Sequence, residues 1–381
     1  MKVAIVAPLV SAIREPQVGG SQAFLSDLAS GLAGRGHVVD VYAAAGSQLP
    51  GITVIDTGVD PASLQATRYR AGNGRPDDLR SRNGEAACAS GHARDRAAAA
   101  IAFARVYEMV RETRYDVIHN HAFDAPAIAL ASTLDMPVVH TLHLPPDPAI
   151  AAALREAAGQ GRAPAVAGVS AFQASAWRRA VPVDAILPSC VPTRAIPWSP
   201  APGEAAVFAG RLSPEKGAAE AIDIARTARM PIEVYGDVYD TRYAREQIGP
   251  RRGVPGVVFH GGVSRRSLWA AMSSAAVVLC PARWDEPFGM AAAEAQACGT
   301  PVVAFCRGGL TELIAHGVTG FLVAPEDIGA AADGVRRVSG ISRSACREHA
   351  ERHLDLERSL DAHERLYARV ISAGAGTAAS G

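Results

Sequence analysis

AAVFAGRLSPEKG, residues 205–217, sets a short apolar run directly before a turn that carries Arg211 and Lys216. A run of this length and composition reads as a buried strand. Outward from it the same alternation recurs: PIEVYG (231–236), VVFHG (257–261), AVVLCP (276–281), PVVAF (301–305) and GFLV (320–323) are separated by segments of helical spacing. Strand and helix in alternation imply a parallel, doubly wound sheet. The first half has the same plan, with VAIVAP (3–8), VVDVYAA (38–44), ITVID (52–56), DVIHN (116–120), PVVHTL (137–142) and AVAGVS (165–170). Two α/β halves, each around its own sheet, are therefore expected, with a cleft between them.

The length agrees. The chain has 381 residues, 49% of them hydrophobic, more than one core usually supports. The segment PSCVPTRAIPWSPAPGE (188–204) is too rich in proline for regular helix or sheet, and a hinge is placed there. The domains are then 1–190 and 199–354, with a helix over 355–372 packing back on the first domain and a frayed tail over 373–381. Residues 67–96 lack clean periodicity and read as a long mobile insertion ahead of a helix at 97–113. Long loops often serve as lids, which makes Arg68 and Arg70 acceptor-side candidates.

Lys and Arg together number 38, as do Asp and Glu, so no global basic field draws the chain to nucleic acid or an anionic membrane. Any anionic ligand is held locally. The apolar opening MKVAIVAPLV is too short for a membrane span and lacks a cleavage signature, so a cytoplasmic enzyme is expected. The cysteines, Cys88, Cys190, Cys280, Cys298, Cys306 and Cys346, show no paired spacing and read as reduced thiols. Lysine occurs only at Lys2 and Lys216, which singles out Lys216.

Three places carry chemistry. Arg211 and Lys216 stand at the C-terminal edge of a sheet, where open α/β folds bind ligands, and two fixed cations there suit a diphosphate. The plainer alternative is a solvated loop opening a helix. In EPFGMAAAEAQACG (286–299), Glu286 and Glu294 lie eight residues apart around a Pro-Phe-Gly turn and a short helix, a reach of about 12 Å if wholly helical. They are placed to grip opposite ends of a nucleotide sugar. The N–H groups of Phe288, Gly289 and Met290 would stand unpaired at the helix start and attract an anion. The alternative makes Glu286 a partner of the helix dipole and Glu294 an ordinary polar position.

The third place is the first half. Gly19 and Gly20 permit close backbone approach to a ligand, but the segment is not GxGxxG, which argues against a nicotinamide cofactor. His119 and His121 end one strand, and His140 and His143 recur at the end of the next. Without an acidic ligand at tight spacing they define no metal site. His119 and His140 read as core residues, His121 as a functional residue of the cleft and His143 as an acceptor-side candidate.

GGSQAFLSDLASGLAGRGH (19–37), RLSPEKG (211–217), the pair Glu286 and Glu294, and PVVAFCRGGLTELIAHGVTGFLV (301–323) together resemble the family 4 glycosyltransferases. The resemblance covers nearly the whole chain and is strongest over 205–327. It implies a GT-B fold and transfer with retention of anomeric configuration. It further implies that Arg211 and Lys216 bind the donor diphosphate, Glu294 the ribose hydroxyls and Glu286 the transferred sugar. Gly20 would offer its amide to phosphate, and His121 would contact the sugar near the reacting carbon. VFHGGVS (258–264), with Gly262 and Val263, would form the base-binding turn through backbone groups, which leaves UDP and GDP undistinguished.

Such a transfer passes through an oxocarbenium-like state with negative charge growing on the leaving phosphate, which Arg211 and Lys216 would answer. VYGDVYD (234–240) sets its two acids three apart and offers no DxD pair, so no catalytic metal is expected. No cofactor is expected beyond the nucleotide sugar as co-substrate. The partners are that donor and a small-molecule or glycan acceptor, with oligomer formation left open. Two other classes share the pattern: a GT-B epimerase acting on the nucleotide sugar alone, and a non-catalytic nucleotide-sugar-binding protein.

Overall fold

The computed structural model describes residues 1–67 and 85–378, and describes side chains among them except at 65–67, 85–95 and 375–378. Arg68 and Arg70, most of the insertion expected over 67–96, and the last residues of the tail lie outside what is described.

In chain order the first half runs β1 (Lys2–Val6), α1 (Gly20–Gly34), β2 (Val38–Ala43), β3 (Thr53–Asp56), α2 (Glu85–Arg111), β4 (Val117–Asn120), α3 (Ala125–Ala131), β5 (Val138–Leu142), α4 (Pro148–Gly159), β6 (Ala165–Gly168), α5 (Ala171–Arg178) and β7 (Ala185–Ile186). The second runs β8 (Ala206–Ala209), α6 (Ala218–Ala228), β9 (Ile232–Tyr235), α7 (Thr241–Tyr243), β10 (Val257–Gly261), α8 (Arg265–Ser274), β11 (Val277–Cys280), α9 (Met290–Ala297), β12 (Val302–Phe305), α10 (Leu310–Leu313), β13 (Gly320–Val323), α11 (Ile328–Arg337) and α12 (Arg343–His353). The helix α13 (Leu356–Ala378) follows.

The strands form two sheets, β3-β2-β1-β4-β5-β6-β7 and β10-β9-β8-β11-β12-β13. Every strand pairing within them is parallel. Each expected strand is present, and the two-residue β7 is an addition too short to leave a pattern. The strands are near-continuous apolar runs because helices cover both faces of each sheet. Strand order reverses between β1 and β4 in the first sheet and between β8 and β11 in the second. A ligand crevice is expected beyond the carboxyl ends of those four strands.

Two helix boundaries correct the sequence reading. α2 begins at Glu85, not near 97, because its first turns carry Gly91, Asp95 and Arg96 and so hide any apolar stripe. α13 continues to Ala378, past residue 372, because alanine extends a helix at almost no intrinsic cost and offsets the glycines there.

α13 packs against the first sheet's helices. Leu356, Leu360, Leu366 and Tyr367 share a core with Val3, Ile5, Phe24 and Leu28. A Cβ on Gly31 of α1 would lie 2.7 Å from Leu360 Cδ1, so glycine there sets the distance between α1 and α13. The two passages between halves touch each other. The Val191 N–H donates to the Leu354 carbonyl at 2.9 Å and the Leu356 N–H to the Val191 carbonyl at 2.8 Å. Thr193 bonds Asp355, and Ser359 Oγ donates to the Pro188 carbonyl at 2.6 Å.

Candidate active site

The loops beyond β1, β4, β8 and β11 enclose a cavity of about 500 Å³ between the halves. Gly19, Gly20 and His143 line it from the first half, and Arg211, Lys216, Gly262, Val263, Glu286, Phe288, Gly289, Met290 and Glu294 from the second. Residues far apart in sequence meet because each lies beyond the carboxyl end of a parallel strand, and those after β1, β8 and β11 stand where strand order reverses.

Two helices start at this cleft, α1 after Gly19 and α9 after Gly289, and neither has a side-chain cap. Their orphan N–H groups and positive dipole ends favour an anion. The approach is close, since a Cβ on Gly20 would lie 2.9 Å from Met290 Cγ. Gly289 adopts φ 116°, a left-handed conformation that a side chain would strain.

The side chains are held by partners the sequence did not advertise. Lys216 Nζ donates to both oxygens of Glu286, at 2.9 and 2.8 Å, and the indole N–H of Trp284 donates to Glu286 Oε2 at 2.7 Å. Lys216 also lies 5.1 Å from the centre of the Trp284 ring. Arg211 stacks 4.2 Å from the Tyr239 ring and donates to Glu215 at 3.0 Å, while its buried Nε has no partner among the described residues. Three donors converge on one oxygen of Glu294: Arg265 Nε at 3.1 Å, Arg265 Nη2 at 2.9 Å and Trp269 Nε1 at 3.0 Å. Asp237 accepts the Gly262 N–H at 2.7 Å and fills the space a side chain at 262 would need. Asp240 caps α7 by accepting the Tyr243 N–H at 2.8 Å.

The histidines differ from the sequence reading. His143 and Phe123 form the cleft wall, whereas His121 is wholly buried behind them, its Nδ1 sharing a 2.8 Å hydrogen bond with His143 Nε2. His119 and His121, two apart at the end of β4, fall on one face of the strand, and their rings lie 3.9 Å apart, tilted by 33°. On that face His119 bonds Tyr367 of α13 at 2.6 Å and Thr141 at 2.7 Å. His121 is thus sandwiched between a satisfied core histidine and the histidine that reaches the cleft.

Burial pulls His140 and His143 down to about 3 and lowers His119 and His121 well below the ordinary value of 6.5. The unfolded chain takes up protons near 6.5 that the folded rings refuse. This stability is therefore full above about pH 6.5 and lost as pH falls toward the folded values. The melting temperature should hold steady from about pH 8 to neutrality and drop toward pH 5. In His140→Gln the drop should be shallower, and an identical slope would remove His140 from the account. The thiols of Cys190, Cys280 and Cys346 are pushed up to about 12 by burial and stay unreactive.

The halves also touch through Glu312, outside the cavity lining, and through Arg265, which is part of it. Glu312 of α10 accepts the N–H groups of Ala171 and Phe172 at the start of α5, at 3.0 and 2.5 Å. Arg265 Nη1 donates to Asp27 of α1 at 2.8 Å, and the Arg265 N–H to Glu15 at 3.0 Å. Among the described residues no cluster of His, Cys, Asp and Glu has the arrangement of a metal site, and no helix is long and apolar enough to cross a membrane.

Comparison with known proteins places this geometry. The family model described as Glycosyltransferase Family 4 matches residues 18–194, and that described as Glycosyl transferases group 1 matches 196–353. The D-inositol 3-phosphate glycosyltransferase of Mycolicibacterium smegmatis is 40% identical over 30% of this chain and 27% of its own length. An uncharacterized glycosyltransferase of Methanocaldococcus jannaschii is 40% identical over 35% of each chain, so these two alignments span about a third of either relative or less. The glycogen synthase of Mycobacterium tuberculosis is 27% identical over 84% of this chain and 82% of its own. Among solved structures, sucrose-phosphate synthase from Thermosynechococcus elongatus superposes with a TM-score of 0.74 at 19% identity, covering 98% of this chain and 99% of that one. HepE of Anabaena, in complex with UDP-glucose, gives 0.70 at 21%, covering 98% and 100%. With two parallel Rossmann-like sheets around a shared cleft, and with one family model on each half, the chain belongs to glycosyltransferase family 4 and has the GT-B fold.

Proposed function

We propose that the enzyme moves a sugar from a UDP- or GDP-sugar to a small-molecule or glycan acceptor, with retention and without a metal ion. The observation that carries this reading is the convergence of Arg211, Lys216 and two uncapped helix starts on one cavity beside Glu286. Four sources of positive potential lining one cavity can stabilise a departing diphosphate without a cation. In this reading Gly19 and Gly20 approach the phosphates, with the amides of Phe288, Gly289 and Met290 facing them. Glu286 holds the sugar, Glu294 the ribose, and Gly262 and Val263 border the base.

Retention by same-face attack fits the carboxylates available. The bond from the anomeric carbon to the diphosphate oxygen breaks while the bond to the acceptor oxygen forms. The acceptor's hydroxyl proton passes to the departing diphosphate. A double displacement would need a free carboxylate on the opposite face. Among the described residues, the three that line the cleft each already hold donors: Asp237 holds the Gly262 amide, Glu286 holds Lys216 and Trp284, and Glu294 holds Arg265 and Trp269 on one oxygen. His143 faces the sugar and acceptor, and His121, through its hydrogen bond, holds the His143 ring.

The test is incubation with UDP- and GDP-sugars, with and without candidate acceptors, read by mass spectrometry. A glycosylated acceptor whose new linkage keeps the donor's anomeric configuration supports the reading. An altered donor formed without any acceptor supports an epimerase, and no turnover with intact nucleotide binding supports a binding protein. Activity should survive exhaustive chelation, because Asp237 and Asp240 are committed to backbone N–H groups. Loss restored by magnesium or manganese would return those two acids to the mechanism.

A further inference from the structure

We infer that Arg265 is a positioning residue that ties the nucleotide-holding carboxylate Glu294 to the opposite half of the enzyme through Asp27. This rests on the reading of Glu294 as the ribose-binding group. An arginine fork beside a carboxylate ordinarily pairs with both of its oxygens. Here the fork is split. Nε and Nη2 share Glu294 Oε1, while Nη1 turns away to Asp27 Oδ1 on α1. Trp269 adds a third donor to the same Oε1, and its ring lies 4.7 Å from the guanidinium. Among the described residues no donor reaches Glu294 Oε2, although the residue is 5% exposed and lines the cavity. The second oxygen of Glu294 is thus kept for a ligand hydroxyl.

Asp27 is what holds the fork open. Were it absent, Nη1 would be a buried donor with the Ala23 carbonyl at 3.5 Å as its remaining described acceptor, and the carboxylate the guanidinium already touches is Glu294. The guanidinium would turn to a two-oxygen pairing, and a ribose would have to displace it. Asp27 and Arg265 are both buried enough for the contact to be little screened, with side-chain exposures of 12% and 11%. Asp27 lies on the helix whose first turn carries Gly20 at the cleft, and Arg265 opens α8, directly after the turn holding Gly262 and Val263. One contact therefore fixes the phosphate-facing end of α1 relative to the ribose-facing carboxylate. Nucleotide bound on the second half senses whether the first half is seated.

Calorimetry of UDP and GDP on the full chain tests this. Asp27→Ala should weaken whichever nucleotide the wild type binds by about tenfold, within the range for coupled sites. It should raise KM for donor more than it lowers kcat, and Asp27→Glu should restore most of the loss. In the double variant Asp27→Ala/Glu294→Ala affinity should be no lower than in Glu294→Ala alone, because the effect of Asp27 runs through Glu294. Unchanged affinity in Asp27→Ala, or additive losses in the double variant, would overturn the proposal. If Asp27→Ala does not fold, Arg265→Lys asks the same question, since one ammonium cannot serve both carboxylates in this geometry, and wild-type affinity there is equally fatal. A wild type that binds neither nucleotide, or a Glu294→Ala variant that binds as wild type, instead fails the donor reading itself, and this inference with it.

Discussion

Lys216→Ala should lower kcat/KM by about 10²–10³-fold, the loss typical when one fixed donor to a charge-developing oxygen is removed. Lys216 rests on both oxygens of Glu286, 23% exposed and lining the cavity. A sugar that takes Glu286 for its hydroxyls must displace that ammonium, and the place open to it is the diphosphate. Substitution by alanine removes the charge and also leaves Glu286 with Trp284 as its remaining described donor. Nucleotide affinity and turnover should both fall, whereas Glu286→Ala should spare nucleotide affinity and damage turnover. If calorimetry finds Lys216→Ala and Arg211→Ala each binding nucleoside diphosphate as the wild type does, the clamp is wrong.

Arg343→Ala should be strongly destabilising although it lies outside the cleft. This buried guanidinium donates to the carbonyls of Ser199, Ala275 and Ser273 and to Thr300 Oγ1, at 2.7, 2.7, 2.6 and 2.8 Å. It ties the connection leaving the proline-rich segment to α8, α9 and α12. Each buried acceptor left bare costs about 1–3 kcal/mol, and entering water recovers part of this, so roughly 4 kcal/mol is expected. A denaturant titration measures it. Arg343→Lys should recover only a fraction, because one ammonium cannot span acceptors laid out for a planar fork. A loss below about 1 kcal/mol would mean that the acceptors find other partners.

Strands were legible because parallel strands covered on both faces are apolar throughout and end at Gly or Pro. AVVLCP and PVVAF announce β11 and β12 without reference to anything distant. Arg211 and Lys216 were legible for a related reason, since they follow such a strand by a few residues, and Glu286 and Glu294 because they bracket the Pro-Phe-Gly turn and helix after β11. The same apolar character hid the roles of the histidines. When both faces of a strand are buried, alternation does not tell which face meets the cleft, so His121, expected at the sugar, lies behind His143, which lines the cavity. Asp27 and Arg265 were invisible because their contact joins positions 238 residues apart. Neither stands in a local pattern: Asp27 is one polar residue on an amphipathic helix, and Arg265 one of two arginines opening another. Trp284 and Trp269 became meaningful only when their indole N–H groups were found on the two glutamates.

The core that α13 completes has a consequence for the order in which the molecule can be made. β1 through β7 have all been synthesised by residue 186, yet Leu360 and Tyr367, which cover Phe24, Leu28 and His119, are added after the whole of the second half. The first sheet leaves the ribosome with an uncovered apolar face, while the second half gathers every strand and helix of its own core before α13 appears. The half translated first should therefore reach its native packing last, and a chain stalled before residue 356 should hold a finished second half joined to an unfinished first one.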